Sequence, residues 1–91
     1  MTISAQVSVY PLRQARISPA IDAVRGALEE AGLEAQVGAM STIVSGEASR
    51  VFEALRRGFE RAAADGHVVM VLTVSNACPV QERDASGVGG L

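Results

Sequence analysis

Along this 91-residue chain the apolar spacing goes from two to about 3.6, back to two, again to about 3.6, and then into an unbroken apolar run, which restricts the fold more than any other feature. In residues 1–10, Ile3, Ala5, Val7 and Val9 alternate with Ser4, Gln6, Ser8 and Tyr10, as in a strand with one apolar and one mixed face. Pro11, which has no N–H donor, closes it. Ser18-Pro19 signals a helix start: the serine hydroxyl is expected to cap a first-turn amide, with proline at the first helical position. Ile21, Val24, Leu28 and Ala31 follow as one apolar stripe, and Gly32 supplies the left-handed residue that ends such a helix.

Residues 34–45 alternate again, through Ala35, Val37 and Ala39 and then Ile43 and Val44. Two strands turning near residues 38–41, or one strand bent there, both fit this pattern. Residues 47–65 return to helical spacing, with Val51, Phe52, Leu55, Phe59, Ala62 and Ala63 as the apolar stripe. Glu53–Arg57 and Arg56–Glu60 are favourable i,i+4 pairs beside it. After Gly66 the run 68–74 reads as a last strand, buried deep in a sheet because it does not alternate. The order is β-α-β-β-α-β, which predicts an α+β, ferredoxin-like domain over residues 1–80: a four-stranded antiparallel sheet with two helices on one face. Residues 81–91 are polar and glycine-rich and predict a flexible tail.

One sheet face is left open by such an arrangement, with Gln6, Ser8 and Tyr10 on it. A domain of this size buries only about 60–65% of its unfolded surface, so self-association is a natural supplement. Only 3% of residues are aromatic (Tyr10, Phe52 and Phe59), so the core must be aliphatic. The net charge of −2 argues against a nucleic-acid partner. Every basic residue is Arg, which excludes lysine Schiff-base chemistry. A lone Cys78 fits a reducing cytoplasm, the first 15 residues do not form a signal peptide, and no apolar run approaches the roughly 20 residues of a membrane span.

A catalytic Cys78–His67 dyad fails on geometry within one chain. His67 precedes the last strand and Cys78 follows it, and the eight steps from 67 to 75 alone span about 25 Å, beyond any catalytic contact. There is no Cys-x-x-Cys and no histidine pair to hold a metal. Base stacking needs strand aromatics, and only Tyr10 qualifies. What remains is a pocket of short uncharged side chains near strand ends: Ser8, Tyr10, Ser41, Thr42, Ser75 and Asn76. Capping of strand ends would use the same residues.

Three stretches, "AQVSVYPL" at 5–12, "AMSTIVSG" at 39–46 and "VLTVSNACP" at 71–79, resemble together the thiamine/hydroxymethylpyrimidine-binding family typified by YkoF. The helical stretches "ISPAIDAVRGAL" and "VFEALRRGFERAA" are similar in the same order, so the resemblance spans about residues 3–80. It implies non-catalytic binding of thiamine or its pyrimidine precursor in the cytoplasm, without cofactor or metal. It also implies a homodimer or homotetramer, since this chain carries a single repeat. Carried over by residue, the resemblance points to Ser41, Thr42, Ser75, Asn76 and Cys78, with Gln6, Ser8 and Tyr10 from the first strand. In that setting Cys78 lines the pocket wall and does not attack. After Pro79 the chain departs from the family pattern. The alternative function is a regulatory or structural oligomerisation module whose open sheet face serves assembly.

Overall fold

The computed structural model describes residues 1–13 and 16–77. Strand β1 (Thr2–Pro11) leads through helix α1 (Ser18–Glu30) to β2 (Ala35–Val37) and β3 (Thr42–Glu47). Helix α2 (Ala48–Ala62), extended by a 3-10 turn (Ala63–Asp65), then leads to β4 (Val68–Ser75). The four strands form one antiparallel sheet in the order β2-β3-β1-β4. This is the expected ferredoxin-like α+β fold. Of the two readings of residues 34–45, the pair of strands is the one realised.

Ile3, Ala5 and Val7 of β1 point into the core, where they meet Val44, Val24, Leu28, Val51 and Leu55. Pairing of Ala5 with Val44 and of Val7 with Thr42 sets the same face of β3 toward the helices. At about 25 cal/mol per Å² of apolar surface removed from water, this aliphatic layer is the main favourable contribution to folding. The two helices approach closely at Gly58, where an added Cβ would lie 2.9 Å from the Val24 Cα, so only glycine fits there.

Helix α1 ends as its sequence requires. Gly32 sits at φ +78°, its amide donates to the Glu29 carbonyl at 2.9 Å, and the Leu33 amide donates to Leu28 at 3.0 Å. That double bond pattern is a Schellman motif. Its start differs from expectation. The helix begins one residue early, with Ile17 at the cap position and no side-chain cap bond, so Ser18 lies inside the first turn and caps nothing. Instead the Ile17 carbonyl accepts from the Ala20 and Ile21 amides at 3.2 and 3.3 Å.

Two other expectations change. The buried face of α2 is Val51, Ala54, Leu55 and Gly58, while Phe52 and Phe59 remain 47% and 40% exposed. The close approach at Gly58 turns the helix toward α1 and leaves the two rings on its opposite flank. The expected ion pairs form: Arg56 to Glu60 at 2.8 Å and Arg57 to Glu53 at 3.4 Å. An unforeseen pair, Arg61 with Glu30, joins the helices. Strand β4 is not buried deep in the sheet. It is an edge, and Val71, Leu72 and Val74 are all exposed.

Candidate functional site: a cleft at the β2–β3 turn

The turn between β2 and β3 closes with the Gly38 amide donating to the Ser41 carbonyl at 2.8 Å. Two polar side chains of β1 fasten it from the open face. Gln6 Nε2 donates to Ser41 Oγ at 3.2 Å, and Ser8 Oγ donates to the Met40 carbonyl at 3.1 Å. Alternation along β1 therefore does two jobs, with its apolar residues in the core and its polar ones holding a loop.

Beneath that turn lies a cleft of about 180 Å³, walled by Val7 and Val9 of β1, Ile17 and Ile21 at the start of α1, and residues 37–42. Its surface is mainly apolar. No Asp, Glu, Arg, His or Cys lines it among the described residues. Such walls suit a neutral ring, and the volume matches a single small heterocycle, below the roughly 300–1,000 Å³ of drug-sized sites.

Thr42 is the distinctive residue. It pairs with Val7 on one side and Val37 on the other, which turns its side chain to the helix face and into the cleft. It is 6% exposed, the one buried polar residue among those described, and its hydroxyl has no hydrogen-bond partner among them. Buried hydroxyls are nearly always paired, because an unmade bond costs about 1–3 kcal/mol. A ligand with a matching donor or acceptor would supply the missing partner.

The residues expected at the site divide. Ser8, Tyr10, Ser41 and Thr42 border the cleft, and Gln6 acts on it by holding Ser41. Ser75 and Asn76 lie elsewhere. Ser75 pairs with Ser4 whereas Ser8 pairs with Val71, a separation of four residues, or about 13 Å, along the sheet. There the Ser75 hydroxyl accepts from the Ala77 amide at 3.0 Å, and Ser4 and Ser45 share a hydrogen bond at 2.9 Å. Asn76 is exposed just past the strand. Cys78 lies outside the described residues, as do Pro79 and the expected tail at 81–91.

Ile17 and the turn residues 37–40 are site features that sequence reasoning missed. Ile17 offered a signal: an apolar residue directly before Ser18-Pro19 and four before Ile21, in line with the α1 stripe but ahead of the helix.

Groups with altered acidity lie away from the cleft. Hydrogen bonds from Ser49 and the Met1 ammonium hold the Glu47 carboxyl at about 2. Arg61 lowers Glu30, and Arg56 lowers Glu53. These are surface pairs on the helices and at the far end of β3. Among the described residues no three His, Cys, Asp or Glu side chains cluster as a metal site would require. Among the described residues no helix is long and apolar enough to cross a membrane.

Fold and cleft together define a small ferredoxin-like domain with a mainly apolar recess that no charged side chain lines among the described residues. A family model described as thiamine-binding protein matches residues 5–78, and the chain belongs to that family. Solved structures share the fold. The MJ1052 protein of Methanocaldococcus jannascii is 21% identical with a TM-score of 0.77, over 87% of this chain and 84% of that one. The SP2199 protein of Streptococcus pneumoniae is 22% identical with a TM-score of 0.78, over 87% and 90%. A Thermotoga maritima protein assigned to thiamine biosynthesis/salvage is 18% identical with a TM-score of 0.70, over 81% and 82%. Comparison with curated proteins finds no match.

Proposed function

We propose that this protein binds thiamine through its pyrimidine ring, or free hydroxymethylpyrimidine, in the cleft beneath the β2–β3 turn, without turning it over. Membership of the thiamine-binding family supports the ligand class. The observation that carries the site is Thr42, a buried hydroxyl with no partner among the described residues, in a mainly apolar recess. An aminopyrimidine offers ring nitrogens and an amine at fixed angles, matching Thr42 and the backbone groups of the turn. A single ring fills about the available volume, which leaves the thiazolium and any phosphates outside. The lone cysteine favours a cytoplasmic setting. Self-association as a homodimer or homotetramer is part of the same reading, since the open face leaves Tyr10, Ile43 and Val71 between 44% and 50% exposed. That patch equally favours the second reading, an assembly module without a small ligand.

Calorimetry separates the two. Thiamine and hydroxymethylpyrimidine are expected to bind within about fivefold of one another, because no cationic side chain lines the cleft to hold a phosphate. A strong preference for thiamine diphosphate would contradict this account of the site. No heat with any of the three, from protein shown to be folded, would leave the assembly module.

A further inference from the structure

The β2–β3 turn is fixed in its backbone and free in one side chain. The Gly38 amide donates to the Ser41 carbonyl at 2.8 Å, Gln6 Nε2 to Ser41 Oγ at 3.2 Å, and Ser8 Oγ to the Met40 carbonyl at 3.1 Å. Among Gly38, Ala39, Met40 and Ser41, only Met40 carries a side chain long enough to reach across the cleft that the turn borders. In the free protein that side chain stands in water. Met40 is 87% exposed, more than any other large apolar residue described.

An unbranched arm with three rotatable bonds therefore rises from a fastened base at the mouth of a mainly apolar recess. Folding it over a bound ring removes apolar surface of both from water and sets the polarizable sulfur against an aromatic system. Such a contact is worth roughly two- to tenfold in affinity. The same sulfur is the one group in this lining that a peroxide oxidises directly. Its sulfoxide carries a polar oxygen, and burying that oxygen without a hydrogen bond opposes closure. The other methionines are placed differently. Met70 is half-buried against the core, and Met1 stands at the far end of β1, where its ammonium meets Glu47.

We propose that Met40 is an oxidation site that controls the cleft: as a thioether it closes over the bound ring, and as a sulfoxide it stays in water and the ring is held less tightly. The oxidant is hydrogen peroxide or an organic hydroperoxide. A sulfur lone pair attacks the outer peroxide oxygen, the S–O bond forms as the O–O bond breaks, and the departing oxygen takes up a proton to leave water or an alcohol. Sulfur loses two electrons and the peroxide gains them. Reduction by a methionine sulfoxide reductase restores the thioether. The inference rests on the ring-binding reading of the cleft.

Mass spectrometry and calorimetry on the full chain test it, with hydroxymethylpyrimidine as the probe and hydrogen peroxide removed before titration. Met40 should oxidise at least about tenfold faster than Met70, and saturating hydroxymethylpyrimidine should slow Met40 at least about threefold while leaving Met1 unaffected. Oxidised wild type, with circular dichroism unchanged, should bind about two- to tenfold more weakly. Met40→Gln, a polar arm, should resemble the oxidised protein. Met40→Leu, which has no sulfur there but keeps Cys78, should have the same affinity before and after peroxide. Equal affinity of wild type before and after complete Met40 oxidation would overturn the proposal and leave the cleft reading standing. So would a Met40 oxidation rate that the bound ring does not change, or an equal loss in peroxide-treated Met40→Leu. No binding by untreated, folded wild type would overturn both.

Discussion

Strands β1 and β4 are neighbours of similar length, yet they stand in opposite relation to their sequences. β1 alternates, and its structure follows: Ile3, Ala5 and Val7 are at most 3% exposed, while its polar residues meet solvent or hold the β2–β3 turn. β4 is apolar nearly throughout, yet it is the edge and its last residues are uncovered on both faces. Alternation describes a strand whose surroundings one chain completes. An unbroken apolar run does not by itself tell how many sides of a strand the chain covers.

The largest test of that contrast is a matched pair of substitutions. Val7→Asp places an unpaired carboxylate at a 2% exposed site and should destabilise by about 3–5 kcal/mol. Leu72→Asp, directly opposite in the register, should cost under about 1 kcal/mol at low protein concentration. Urea unfolding measures both. Similar losses would mean that β4 is better covered within one chain than its exposure indicates.

Thr42→Val sharpens the contrast from the other neighbour of β1. Removing an unpartnered hydroxyl should leave the free protein as stable or up to about 1 kcal/mol more stable, and weaken pyrimidine binding by about 1–3 kcal/mol. Opposite signs in thermal melting and calorimetry would mark Thr42 as a binding group. A loss of stability with unchanged binding would mark it as structural.

Gln6→Ala releases one of the two fastenings between β1 and the turn. The bond is exposed, so stability should fall by about 0.5–1 kcal/mol, with affinity reduced a few-fold as the turn loosens. Unchanged affinity would separate the polar face of β1 from the cleft.

The smallest effect concerns the far end of β1, where Thr2 pairs with Glu47. The Glu47 carboxyl lies at about 2 in the folded chain against an ordinary value of 4.5, so unfolded chains bind the proton more readily. Its contribution is therefore present above pH 4.5 and is lost as pH falls toward 2. Glu47→Gln should flatten the acid limb of the stability curve in that window. Both groups of the pair are exposed, so added salt should shrink the difference.

Much of this protein was legible in order of elements. Period-two spacing marked β1, 3.6-residue spacing marked both helices and an unbroken apolar run marked β4, while Gly32 and Gly66 marked helix ends, because periodicity and left-handed turns are local properties. Local patterns did not locate the cap of α1, since Ile17 entered the helix through its backbone alone. They did not give the rotation of α2 either, because Phe52 and Phe59 fit the stripe as well as Ala54 and Gly58 do. Of the residues expected together, Ser8, Tyr10, Ser41 and Thr42 do border one candidate cleft. Ser75 and Asn76 lie away from it, because strand ends that look alike in sequence lie at opposite ends of an antiparallel sheet.

The sequence by itself determined the elements, their order and the faces that β1 and α1 would bury, since these depend on neighbours within a turn or a strand. Tertiary structure alone decided which strand became the edge, which way α2 turned, and that Thr42 would be closed into a recess with no partner among the described residues. Those outcomes depend on the β2-β3-β1-β4 order and on one close approach at Gly58. They join residues tens of positions apart, and no local spacing carries that information.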